Sequence, residues 1–224
     1  MNKDSFKYNA QQMGIALSDT QLHKFDIYQR ELLTWNLKIN LISEKSAQEI
    51  ATRHFLDSLT ALQFIDKQNA RVLDIGSGAG FPGIPLKIAL PTLKLYLMES
   101  NRKKVSFLKH IIRELYLEET FIVHNRAEHV IKNKNWQEIF DIVVSRAAFH
   151  LPEFISFSTF FLTANGKFIA LKGNDVEAEF SQCVKKTTVT GLFELFQHDT
   201  ITYTHDKKRK IIVGKKLKKD KNIF

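Results

Sequence analysis

VLDIGSGAGFPGIPL, residues 72–86, runs from an apolar stretch ending in an acid into a turn that holds four glycines and two prolines. A strand that passes through a glycine turn into a helix is where α/β proteins bring a phosphate or a nucleoside against the backbone. The turn has two registers. Counted from Gly76 it reads G-S-G-A-G-F, with Phe81 where a dinucleotide fingerprint has its third glycine. Counted from Gly78, GAGFPG matches G-x-G-x-x-G, but it begins four residues beyond Asp74 and contains Pro82, which biases Phe81 away from helical angles. The next helix is therefore expected to begin near Pro82 or Pro85, since proline is well tolerated at a first helical position. No Lys-Ser/Thr pair follows the last glycine, which excludes a Walker phosphate loop.

Outward from that turn the chain alternates. RVLDI (71–75), KLYLME (94–99), TFIVH (120–124), FDIVVSR (140–146) and GKFIALKG (166–173) are short β-rich runs. Helical patterns separate them, the clearest being RKKVSFLKHIIREL, with Val105, Leu108, Ile111, Ile112 and Leu115 on one face. Two further runs, around 187–198 and 210–216, close the chain. Continuous apolar strands alternating with helices imply a mostly parallel sheet covered on both faces. The expected fold class is α/β, a Rossmann-like doubly wound sheet of seven strands. The first 66 residues read instead as helices: Phe25, Tyr28, Leu32, Leu33 and Trp35 recur at helical spacing, as do Ile50, His54, Phe55, Leu59 and Leu62. A helical lobe over 1–66 and a sheet domain over 67–224 are expected to form one compact unit.

The 224 residues, 44% of them hydrophobic, suffice for a full core. No stretch approaches the roughly 20 apolar residues needed to span a bilayer. The N-terminus lacks the apolar centre of a signal peptide, so a cytoplasmic location is expected. Cys183 is the one cysteine, and the eight histidines show no H-E-x-x-H spacing, so neither a disulfide nor a metal is expected. Of the formal net charge of +9, residues 207–221 hold nine Lys/Arg and one Asp, a net +8, which leaves +1 for the rest. Such a concentration reads as an arm over an anionic partner, with a solubilising tail as the plainer alternative. The lysines flank a strand-like IIVG and line no apolar helix stripe, which favours nucleic acid over a membrane.

The ligand follows from the acids. Asp74 beside the turn would repel a pyrophosphate but suits a cation. Glu99 ends the second strand, 23 residues past Gly76, where a carboxylate can accept both ribose hydroxyls. Nicotinamide sites use an acid the same way, so Glu99 indicates a ribose without choosing the cofactor. Asp74 favours S-adenosylmethionine, with its positive sulfonium and ammonium; a tight structural turn without a ligand is the alternative. HNRAEHV, after the third strand, places Ala127 and Glu128 to cover an adenine, although an acid in a first helical turn is stabilising in itself. Donor and acceptor would meet at VVSRAAF, and Lys172 ends the fifth strand where it can touch substrate. His54 and Asp57 resemble an acid–base pair, but with no nucleophile near them in sequence they read as packing or hydrogen-bonding residues.

Together these residues resemble the bacterial small-subunit (16S) rRNA guanine-N7 methyltransferase family, RsmG or GidB. The likeness runs through WNLKINLIS (35–43), RHFLDSL (53–59), VLDIGSGAGFPGIPLKI (72–88), ES (99–100), KKVSFL (103–108), NRAE (125–128), SRA (145–147) and ALKG (170–173). The first 30 residues and 176–205 carry no matching motif. The resemblance implies transfer of a methyl group from S-adenosylmethionine to N7 of a guanine in the decoding region of 16S rRNA. It implies that Gly76, Gly78, Phe81, Glu99, Ser100, Asn101, Ala127, Glu128 and Arg146 hold the cofactor. It further implies that Arg126, Arg146 and Arg209 face the guanine or its phosphates, Arg126 and Arg146 forming the catalytic pair. The partner would be 16S rRNA or the small subunit, engaged by a monomer. The chemistry agrees, because guanine N7 has a free lone pair and no proton to lose, so no general base is needed. SRAA stands where amine methylases carry Asn/Asp-Pro-Pro-Tyr/Phe. Orienting N7 against the methyl group can supply roughly 7–11 kcal/mol. The rivals are an NAD(P)-dependent oxidoreductase using the Gly78 register and a non-catalytic RNA-binding protein on the same fold.

Overall fold

The computed structural model describes residues 1–47, 49–173, 176–200 and 209–217. Helices α1 (Lys3–Gln12) and α2 (Asp19–Asn36) open the chain. Ser18 and Gln21 form a capping box at the start of α2, each side chain accepting from the other's backbone N–H, so two end donors are satisfied. Phe25, Tyr28 and Leu32 are buried as their spacing requires, while Leu33 is 37% exposed. Phe25, Tyr28 and Leu32 follow the i, i+3, i+7 spacing that centres the stripe, and Leu33, about 100° round from Leu32, falls at its edge. After α3 (Glu44–Ala47) come a π-helical turn (Ala51–Leu56), α4 (Asp57–Leu59) and a 3₁₀ turn (Thr60–Phe64). Ile50, Phe55 and Leu59 are buried as expected, on a backbone that changes its winding twice.

The sheet strands are β1 (Arg71–Ile75), β2 (Lys94–Met98), β3 (Thr120–Val123), β4 (Phe140–Arg146), β5 (Leu162–Lys172), β6 (Phe193–Thr200) and β7 (Arg209–Lys216). Their order is β3-β2-β1-β4-β5-β7-β6; the first five run parallel, and β7 is antiparallel to both β5 and β6. The order reverses between β1 and β4, which puts a crevice at their carboxyl ends. The covering helices are α5 (Gly83–Ala89), α6 (Arg102–Glu114), α7 (Ala127–Val130), α8 (Leu151–Phe161) and α9 (Glu177–Thr190). Strand alternation divides the core: Ile142 and Val144 face the layer with α2, α5 and α6, while Val143 faces the layer with α8.

Two expectations are corrected. The run around 187–198 is not one strand. α9 continues to Thr190 and ends at Gly191, whose φ of +60° makes a left-handed cap, so β6 starts only at Phe193. The basic end is not wholly an arm either, because 209–216 form β7 inside the sheet. Lys210 pairs with Glu177 and Asp199. Lys216 is 8% exposed, and its ammonium donates to the carbonyls of Thr159 and Leu162 and to Glu138. A buried ammonium needs acceptors, and the sheet supplies them. Residues 207, 208 and 218–221 of the basic run lie outside the described residues.

Candidate active site

The glycine turn leaves β1 directly, as the Gly76 register requires. The N–H groups of Gly76 and Ser77 both donate to Met98 O, at 2.9 and 3.0 Å, strapping the turn to the end of β2. Gly76, Gly78 and Gly80 have φ of +74°, +58° and +97°, in the region that favours glycine. A Cβ on Gly76 would lie 2.7 Å from the Cβ of Ala148, so the segment after β4 rests against the turn. α5 begins at Gly83, with Pro82 as its cap residue.

The two acids take different places. Asp74 is fully buried, and its Oδ2 accepts from the N–H of Gly83 at 2.8 Å. Burial pushes its pKa up to about 7 against the lowering effects of that hydrogen bond and of Arg146. The acid that sequence position sets beside the ligand is thus a brace between β1 and α5. Glu99, 8% exposed, stands at the cleft. Its Oε2 accepts from the N–H of Gly78 at 2.9 Å and its Oε1 from the N–H of Asn101 at 2.7 Å. An ionised carboxylate offers about four acceptor positions, so two remain for a pair of ribose hydroxyls. The donor set therefore fits a nucleoside cofactor.

A cleft of about 180 Å³ opens at the carboxyl ends of β1 to β4. It brings together Gly76, Glu99, Ser100, Ala127 and Glu128, all expected from sequence, with Arg126 beside them. Asn125 and Phe149 also line it, beyond the residues expected from sequence. Asn125 opens the NRAE motif, and Phe149 lies two residues beyond SRA, so each adjoins a motif that the sequence displays. Gly78 and Asn101 take part through Glu99, and the Asn101 side chain also caps α6 by accepting from the N–H groups of Lys103 and Lys104.

Phe81, Arg146 and Arg209 gather elsewhere, where the helical lobe meets β4 and β7. Arg146 Nη1 donates to the carbonyl of Arg53 at 3.1 Å and to Asp57 Oδ2 at 3.2 Å, and its Nη2 donates to His54 Nδ1 at 2.7 Å. Its guanidinium carbon lies 4.6 Å from the centroid of the Phe81 ring, on which the His54 ring also stacks at 4.8 Å. Asp57 Oδ1 stands 3.5 Å from Arg209 Nε. Arginine only donates, so His54 Nδ1 is the acceptor and the ring is neutral. Burial, then the charges of Arg146, Arg209 and Arg53, bring the His54 pKa down to about 3. The hydrogen-bonding role expected of His54 and Asp57 is the one they have.

Lys172 is engaged from within: its ammonium donates to Phe149 O at 2.6 Å and to Glu179 Oε2 at 3.2 Å. Glu179 also accepts from His150 and from the N–H of Leu151. Burial opposes ionisation of Glu179, but these bonds outweigh it and bring the pKa down to about 2. Lys172 and Glu179 thereby anchor the segment that carries Phe149. A larger cavity of about 730 Å³ lies against α8 and α9, far from the strand ends that form the crevice. It contains none of the expected residues, and the Lys216 ammonium at its wall is spent on carbonyls and Glu138.

A family model described as "GidB: rRNA small subunit methyltransferase G" matches residues 21–212. Relatives named Ribosomal RNA small subunit methyltransferase G include one from Syntrophus aciditrophicus, 47% identical over 175 residues, or 78% of this chain and 73% of that one. Another, from Alkaliphilus oremlandii, is 36% identical over 217 residues, covering 96% of this chain and 91% of the relative. Among solved structures, M. jannaschii TYW2 in complex with AdoMet has a TM-score of 0.56 at 16% identity, covering 73% of this chain and 76% of that chain, a likeness of fold.

Proposed function

The chain belongs to the rRNA small subunit methyltransferase G family, and from that premise we propose that it transfers the methyl group of S-adenosylmethionine to N7 of a guanine in the decoding region of 16S rRNA. The observation that carries this reading is the cleft at the carboxyl ends of β1 to β4, where Gly76, Glu99, Ala127 and Glu128 converge. Bound there, S-adenosylmethionine supplies a methyl group made electrophilic by its sulfonium. Glu99 would take the ribose hydroxyls on its two remaining acceptor positions, and the bare backbone of Gly78, where a Cβ would meet only the Gly76 carbonyl at 3.9 Å, admits the ligand closely. Ala127 and Glu128, with Ser100 and Asn101, would hold the adenine side.

On the substrate side no residue has to remove a proton, because N7 reacts through its lone pair. Arginine paired bidentately with guanine would cover N7 itself. Arg126, on the rim of the cleft, therefore contacts O6 or a phosphate in this reading, and Arg209 contacts phosphate. Arg146 serves as a fixed buried charge beside Arg209, and Lys172 acts through the segment it anchors. The helical lobe and the sheet domain work as one unit, in a monomer acting in the cytoplasm.

Two measurements test the proposal. Calorimetry should show S-adenosylhomocysteine binding and NADH not binding. Labelled methyl donor with purified small subunits or free 16S rRNA should place the label at N7 of one guanine, located by mapping the modified nucleotide. NADH binding or absence of incorporation into either RNA would sink the proposal.

A further inference from the structure

Asp57 lies between two guanidinium groups that arrive from different strands. Arg146 comes from the end of β4 and Arg209 from the start of β7, and each lies against a different oxygen of Asp57. Arg53 adds a third positive charge close enough to depress His54. Like charges at this separation repel, so Arg146 and Arg209 stay adjacent because Asp57 lies between them. The three side chains differ in exposure. Asp57 and Arg146 are 10% and 12% exposed, whereas Arg209 is 33% exposed. Arg146 is fixed on all sides by the Arg53 carbonyl, Asp57, His54 and the face of Phe81. Arg209 meets Asp57 through Nε, and a third of its side-chain surface stays exposed.

We propose that Asp57 is a positioning residue for RNA binding, holding the Arg209 fork toward a substrate phosphate with Arg146 as its buried counterweight. The inference rests on the reading of Arg209 as an RNA contact. A guanidinium held at Nε presents its remaining donors in one orientation, the geometry that a bidentate phosphate contact needs. The helical lobe then has a task in substrate recognition, because it supplies Asp57, His54 and the Arg53 carbonyl.

The test uses the full chain, with small subunits as substrate and S-adenosylhomocysteine as the probe of the cofactor cleft. For Asp57→Asn, unchanged affinity for S-adenosylhomocysteine is expected together with a KM for small subunits raised about tenfold, the scale of one charge-assisted hydrogen bond. Arg209→Ala should raise KM similarly, and the double variant should be no worse than Arg209→Ala alone, because the two act through one contact. A merely structural Asp57 would lower thermal stability and kcat while leaving KM in place, and that result overturns the proposal. So does an additive double variant. Should Asp57→Asn not fold, Arg209→Lys keeps the charge and gives up the Nε contact. The same rise in KM is expected of it, and a wild-type KM overturns the proposal. If Arg209→Ala leaves KM unchanged, the RNA-contact reading of Arg209 falls and this inference with it. If Arg209→Ala acts and Asp57→Asn is silent, only the positioning role falls.

Discussion

A neutral histidine among three arginines makes stability depend on pH. His54 has a pKa of about 3 in the folded chain against an ordinary 6.5, set by burial and then by Arg146, Arg209 and Arg53. Below 6.5 the unfolded chain binds the proton that the folded one refuses. The contribution of His54 is therefore fully present above 6.5 and is lost as the pH falls toward 3. At pH 5 the gap has cost about 2 kcal/mol, from ~1.5 units at 1.36 kcal/mol each. Asp74 has the opposite sign. Its folded pKa of about 7 lies above the ordinary 3.8, so its contribution is fully present below 3.8 and is lost as the pH rises through 7. A variant must therefore be compared with wild type at each pH. His54→Gln keeps an oxygen that can accept from Arg146 but does not titrate. Urea melts from pH 7.5 to 5 should show it losing about 2 kcal/mol less than wild type. Parallel losses in the two proteins would mean that His54 is not held neutral.

At the scale of the element, crowding separates glycines that share a conformation. Gly14 and Gly80 both have positive φ, of +76° and +97°. A Cβ on Gly14 would meet nothing within 4 Å, whereas on Gly80 it would lie 2.4 Å from Ile84 Cδ1, 2.8 Å from Ile84 Cγ1 and 3.0 Å from the Tyr28 hydroxyl. Gly14→Ala should cost about 1 kcal/mol of backbone strain, and Gly80→Ala about 2–4 kcal/mol, because overpacking of the turn against α5 and α2 is added. Equal costs in chemical denaturation would remove crowding as the reason for Gly80. The strands β1 to β4 are legible because each is an apolar run between helical patterns, whereas β5 begins at Leu162, four residues before the GKFIALKG run that announces it, because LTAN follows the apolar α8 without a break. The boundary of α9 and β6 is not legible either, since TTVTGLFELF carries β-branched residues through the last helical turn and only Gly191 marks the stop. The π, α and 3₁₀ succession after Ile50 was equally hidden, because all three bury the same positions. The inward face of Asp74 could not be read either: β1 is buried on both sides beyond Arg71, so alternation assigns no open face. Arg146 and Asp57 lie 89 residues apart, and no local spacing announces their contact.

Across the whole molecule the net charge of +9 has to be divided by what the sheet consumes. Of the +8 in residues 207–221, Arg209, Lys210 and Lys216 are ion-paired within the fold. A truncation that probes RNA binding therefore depends on where it begins. Removing 215–224 takes away Lys216, whose ammonium satisfies the carbonyls of Thr159 and Leu162, and ends the pairing of β7 with Phe193 and Lys167. Each buried carbonyl left unpaired costs about 1–3 kcal/mol, so that protein should melt earlier and lose activity for reasons unrelated to RNA. Removing 218–224 takes three lysines and one aspartate and leaves every described residue of β7 in place. It should keep the wild-type melting temperature and affinity for S-adenosylhomocysteine. If those lysines meet phosphates, the slope of log affinity for rRNA against log salt should fall by up to about 2, at ~0.7 per contact on single strands. An unchanged slope with a normal melt assigns the last seven residues to solubility.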